Sequence, residues 1–115
     1  MLKNKTRNKV LAKTSKPCKS HLSKAIGLMF SIKPKTLIFT FNKEKIVPLH
    51  MFFVFYPIDV LFLDKNKKIV EIKENFKPFT LHNPKNKAQY IIELPKGTIK
   101  QTKTGIGDTI SFKKE

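Results

Sequence analysis

From Leu37 onward the apolar residues of this chain recur at every second position rather than every third or fourth, and that period admits strands and excludes a helical bundle. Leu37, Phe39 and Phe41 point one way, while Ile38 and Thr40 point the other. Asn42-Lys43-Glu44-Lys45 is read as a polar connector, and Pro48 to Phe55 as a strand apolar on both faces. Pro57 breaks or starts a strand, because it has no N–H to give to a ladder. Ile58 to Leu63 continues as a strand, and Asp64-Lys65-Asn66-Lys67 turns it, with Asn66 taking a left-handed backbone. The return strand, Lys68 to Phe76, places Val70 and Ile72 inward and Glu71 and Lys73 outward.

Pro78 and the run Asn83-Pro84-Lys85-Asn86-Lys87 mark a turn and an exposed loop. Tyr90, Ile92 and Leu94 then line one face of a further strand that Pro95 ends. Thr98 is placed to cap a short helical turn, Gly105 and Gly107-Asp108 to make the next turn, and Ile110 and Phe112 to face inward from a last strand. Near the other end, Ser20 is placed to cap a helix of one or two turns that Gly27 stops. The expected fold is mostly β: a small single-domain β-barrel or sandwich with one or two short helices. A chain of 115 residues holds one core of that size.

Charge divides the chain. The net charge is +16, from 24 basic and 8 acidic residues, and Lys3, Lys5, Arg7, Lys9, Lys13, Lys16, Lys19 and Lys24 stand in the first 24 residues with no acid among them. Residues 1–19 alternate Lys with Asn, Thr and Ser without a sustained apolar period. They are expected to form a basic, unstructured tail ahead of a domain at 20–115. Deleting that tail is accordingly expected to leave stability unchanged. Lys3, Lys5, Arg7, Lys9 and Lys13 are the residues that would meet phosphates if nucleic acid bound without sequence preference. Arg7 is the only arginine, which weighs against guanine-reading contacts. A general compositional taste for Lys and Ile, as in heat-loving organisms, explains the same excess without such a partner, and is the favoured reading.

The single cysteine, Cys18, rules out an internal disulfide. Cys18, His21, His50 and His82 lack the paired spacing of zinc modules, so neither a metal nor another cofactor is expected. No secretory apolar run follows the basic N-terminus, and Ile46 to Leu63 is interrupted by Pro48, His50, Pro57 and Asp59. A cytoplasmic protein without membrane attachment is expected.

Gly27-Leu28-Met29-Phe30, the segment from Pro57 to Asp64, Glu93-Leu94-Pro95-Lys96-Gly97 and Gly105-Ile106-Gly107-Asp108 stand in an order and spacing that resembles the family known as domain of unknown function 192, or uncharacterised protein family 0127. The resemblance covers residues from about 20 to 113 and implies a compact β-rich fold with no established activity. Many members carry a segment like Trp-Met-Lys-Asn-Thr before the Pro-Leu-Asp motif. Here His50-Met51-Phe52-Phe53-Val54 replaces it, keeping only the methionine and losing polar groups that line a cleft in such relatives.

Asp59 is the residue whose chemistry asks most of the fold, since Phe55, Leu61 and Leu63 share its strand face. A carboxylate there must be hydrogen-bonded or stand at a pocket mouth. The favoured reading is that it accepts bonds from loop backbone amides and so fixes the turn near Pro57, and the alternative is a ligand site shared with His50 and Met51. Asp108 reads as a turn residue. The many aromatics read as core rather than as a stacking platform for bases, because Lys is not interleaved with them on one face. The function expected is a non-catalytic binding or accessory module for a small ligand or a protein partner. The alternatives are a nucleic-acid-associated protein and an enzyme of a type that no motif here identifies.

Overall fold

The computed structural model describes residues 1–18, 36–50 and 56–112. Its strands are β1 (Leu2–Asn4), β2 (Lys9–Ala12), β3 (Lys16–Cys18), β4 (Leu37–Lys45), β5 (Leu49–His50), β6 (Ile58–Leu63), β7 (Ile69–Phe76), β8 (Leu81–His82) and β9 (Ala88–Pro95). A five-residue helix, α1 (Thr98–Thr102), and β10 (Ile110–Ser111) follow. The expected helix after Ser20 and most of the expected strand from Pro48 to Phe55 lie outside the described residues.

The main sheet has the order β3-β4-β9-β6-β7, antiparallel except where β3 runs parallel to β4. β6 is buried at all six positions, because strands flank it and both sheet faces are covered. On one face Leu37, Phe39, Ile58, Val60, Phe62, Phe76 and Ile91 pack together, with Val47, Leu49 and Tyr56 against them. On the other, Ile38, Leu61, Leu63, Tyr90, Ile92 and Leu94 meet Leu2, Leu11, Ile99, Ile110 and Phe112. That second layer is a three-stranded sheet, β10-β1-β2, with α1 beside it. The fold is mostly β and layered, and the main sheet does not close into a barrel, since β3 and β7 remain its edges.

The expectation of a free basic tail is overturned. β1 pairs with both β2 and β10, and Leu2 and Asn4 are wholly buried. Lys3 separates the two inward residues and Lys5 follows them, so the lysines hide a short strand whose buried positions are only two. Asn4 donates to Thr104 Oγ1 (3.1 Å) and Asp108 Oδ2 (2.9 Å), and its own Oδ1 accepts from the Arg7 amide (3.0 Å). A polar residue at an inward position breaks the apolar period, which is why alternation did not reveal the strand.

Three smaller expectations also change. β4 runs through Asn42 to Lys45 instead of ending there, and Lys45 pairs with Ala88. In the β6–β7 turn the left-handed residue is Lys67 (φ 63°), not Asn66, because Asp64 Oδ1 accepts from the amides of Asn66 and Lys68 and places the bend one residue later. β7 carries a bulge: Leu63 pairs with Ile69 but Phe62 with Glu71. The extra residue, Val70, reverses the alternation beyond it, so Glu71 turns inward beside Phe62 and Val70 and Ile72 pack on opposite faces.

Candidate functional site

Asp59 lies on the face it shares with Leu61 and Leu94, at the end of β6 where α1 begins. Its Oδ2 accepts from the amides of Gly97 and Ile99, both at 3.0 Å, and its Oδ1 from the amide of Asn75, also at 3.0 Å. Gly97, at the N-cap of α1, takes φ 91° and has no side chain to offer, and Thr98 turns its hydroxyl to the carbonyl of Pro95 (2.7 Å). The cap is therefore supplied from another strand by Asp59. The carboxylate is satisfied by backbone amides, but they belong to β7 (Asn75) and to the start of α1 (Gly97 and Ile99) rather than to a loop, and Thr98 does not cap the helix.

His50 lies in β5, which pairs with β8. Leu49 of β5 packs on the face of the main sheet opposite to Asp59. The sheet thus stands between Asp59 and the strand that carries His50. Met51 lies outside the described residues. Of the basic residues near the N-terminus, Lys5, Lys9 and Lys13 are exposed on or beside the β1–β2 hairpin and Lys3 is half-buried. Arg7 is engaged instead with Asp108 Oδ2 (3.3 Å), which also accepts from the amide of Gly105 (2.9 Å). Burial by itself would raise the Asp108 carboxyl, but the bonds from Asn4, Gly105 and Arg7 and the Arg7 charge hold it below the usual carboxylate range.

Two features of the Leu49 face were not singled out from the sequence. The first is Glu93 in β9. It pairs with Leu37 on one side and Val60 on the other, so its side chain is directed into the cluster formed by Leu37, Val60 and Ile91. It is only 4% exposed, and its Oε2 is buried with no hydrogen-bond partner. Burial among apolar neighbours pushes its carboxyl up to about 8, so the group keeps its proton at neutral pH. Tyr56, packed against the same cluster, also has a buried hydroxyl with no partner.

The second is a carboxylate–imidazole pair at the margin of that face. His82 Nε2 lies 2.9 Å from Glu71 Oε2, and the imidazole sits against the rings of Phe62 and Phe76, with centroids 5.5 Å and 6.1 Å away. Glu71 Oε1 accepts from the amides of Lys85 and Asn86 and from the Asn86 side chain. Burial would raise this carboxyl, yet those bonds and the one to His82 bring it below its ordinary value. Glu71 thus ties the 83–87 loop to the sheet. The Val70 bulge is what turns it inward, and no period in the sequence announces a bulge. Glu93 was legible in principle, as the one charged residue in the run from Tyr90 to Leu94. Among the described residues no three His, Cys, Asp or Glu side chains gather as a metal site would need, and no helix is long and apolar enough to cross a membrane.

Comparison with known proteins follows the same lines. The model of the family DUF192, described as "Uncharacterized ACR", matches residues 3–112, a span that takes in the N-terminal hairpin. A UPF0127 protein of Pyrococcus horikoshii is 37% identical over 95 residues, covering 81% of this chain and 82% of its own. A second UPF0127 protein, from Thermococcus sibiricus, is 36% identical over 118 residues, covering 100% of this chain and 76% of its own. Among solved structures, a Novosphingobium aromaticivorans protein of unknown function superposes with a TM-score of 0.79 at 20% identity, over 85% of this chain and 74% of that one. A Sinorhizobium meliloti protein described as a candidate transcription regulator gives a TM-score of 0.79 at 24% identity, over 84% of this chain and 79% of that one. At these identities the two structures speak for the fold alone.

Proposed function

The chain belongs to the uncharacterised DUF192 family, and we propose that this member is a non-catalytic binding module that holds a small ligand against the sheet face carrying Glu93. The observation that carries the reading is the unpaired Glu93 Oε2 within an apolar cluster. Folded proteins leave very few buried polar atoms without a partner, and each one left so costs on the order of 1–3 kcal/mol, so such an atom calls for a functional or structural reason. Tyr56 supplies a second orphaned polar atom against the same cluster, so a ligand held on this face would have more than one polar group to satisfy.

A native mass spectrum of gently purified full-length protein tests the proposal. The wild type should carry a bound small molecule, and Glu93→Leu, which replaces the carboxyl with an apolar side chain, should not. A wild type that stays bare even after mixing with a cell extract's small-molecule fraction contradicts the reading.

One observation favours a second reading, non-specific contact with nucleic acid. Lys5, Lys9 and Lys13 are exposed around a folded hairpin, and residues 1–18 contain no acid. Phosphate neutralisation makes affinity fall with salt, so Lys→Gln changes at these three positions should reduce the slope of log affinity against log salt. An unchanged slope removes this reading.

A further inference from the structure

We infer that the ligand group received by Glu93 is uncharged and both donates and accepts a hydrogen bond, as a carboxamide, a lactam or the amide-like edge of a nucleobase does. This rests on the reading of the Glu93 face as a ligand site and names the chemistry that site selects.

The argument starts from what surrounds the carboxyl. Across the strands it meets Leu37 and Val60, and along its own strand Ile91 lies on the same face. The ionisable groups facing that cluster stand at its margins. Tyr56 contributes a phenol, Lys45 lies over the Phe41 ring, and His82 packs against Phe62 and Phe76 while bonded to Glu71. Lys73 pairs with Val60 from the far side, which places it two strand spacings from Glu93, roughly 10 Å in backbone terms. Glu71 stands beside Phe62, and both its oxygens are already engaged. Among the described residues no cation pairs with Glu93, so nothing offsets the cost of ionising it there.

A neutral carboxyl offers one O–H donor and one carbonyl acceptor side by side. The complementary partner presents an acceptor and a donor in the same spacing, which an amide does. An organic cation would require the proton to leave, and it would approach a protein of net charge +16. A carboxylate would need a positive partner beside Glu93, whereas Lys73 stands two strands away and Lys45 is drawn to the Phe41 ring further along β4.

Three probes of equal size but different charge separate these cases: benzamide, benzamidine and benzoate, each titrated into the full chain and followed by amide shifts of Val60 and Ile91. The expected result is that benzamide binds, and that benzamidine and benzoate bind at least about tenfold more weakly. Benzamide affinity should fall about tenfold per pH unit above about 8. Glu93→Gln keeps a donor and an acceptor without a titrating proton, so it should retain benzamide binding and lose the pH dependence, while Glu93→Leu abolishes binding. Preferential binding of benzamidine or benzoate at this face would overturn the uncharged class and leave the site standing. Failure of all three to move Val60 or Ile91 would overturn the site and the inference together.

Discussion

If Glu93 is held protonated by its apolar surroundings, the stability of the whole domain must depend on pH in a direction opposite to that of most carboxylates. In the unfolded chain its carboxyl titrates at the ordinary value of 4.5, whereas burial raises it to about 8 in the folded protein. Between those values the unfolded state has given up a proton that the folded state retains, so stability falls as pH rises. Each unit of separation is worth about 1.4 kcal/mol, and the full interval therefore amounts to a loss on the order of 5 kcal/mol from mildly acidic to mildly alkaline solution. That is comparable to the total stability of many small domains. Glu93→Gln has no proton to lose and keeps nearly the same shape. Chemical denaturation of wild type and Glu93→Gln across this range isolates the effect, because Asp108 and Glu71, whose carboxyls are lowered and which lose stability only as pH falls, are common to both proteins. The two should be similar near pH 4.5 and diverge steadily, with the variant the more stable at pH 8. A difference that does not change with pH would refute the reasoning.

Asp59→Ala should destabilise the fold by about 3 kcal/mol or more in chemical denaturation, because the amides of Asn75, Gly97 and Ile99 lose their acceptor. Asp59→Asn should recover part of that loss, and an Ala variant as stable as wild type would defeat the capping role. Removing residues 1–12 takes away Leu2 and Leu11, each worth roughly 1.5–3 kcal/mol of burial, so the cooperative thermal melt should weaken sharply or vanish. A melt at the wild-type temperature would show that the hairpin is dispensable. Arg7→Ala should cost under about 1 kcal/mol, since the guanidinium side chain is half-exposed, while Asp108→Ala should cost about 2–3 kcal/mol by leaving one N–H of Asn4 Nδ2 and the Gly105 amide without an acceptor. Equal melting temperatures for the two variants would contradict that ranking.

The fold was legible wherever one physical signal acted alone. Leu37 to Phe41 and Tyr90 to Leu94 alternate cleanly, and both strands are present with those faces. Pro95 and Gly107-Asp108 punctuate the chain where the sequence placed them, Gly107 with a positive φ of 95°. Legibility failed where tertiary pairing outweighed composition. The N-terminal strand hides because one of its two inward residues is Asn4, whose side-chain amide donates to Thr104 and Asp108 about a hundred positions away. Glu71 was expected to face outward because alternation assumes an unbroken ladder, and the Val70 bulge breaks it. Asp59 was recognisable as a residue needing partners, but which amides it meets depends on β9 and α1 being brought to the end of β6. Glu93 sits within a motif that was recognised as a resemblance, and its burial follows only from having Leu37 and Val60 on either side.

The protonation of Glu93 itself is open to direct observation. A carbon-detected NMR titration of the full-length protein, with the side-chain carboxyl of Glu93 assigned by comparison with Glu93→Gln, follows that one group through its own ionisation. The expected midpoint is about 8, with the protein still folded through the transition. A midpoint near the ordinary glutamate value of 4.5 would mean that Glu93 carries its charge at neutral pH, and that the face it occupies does not present a neutral carboxyl to any ligand.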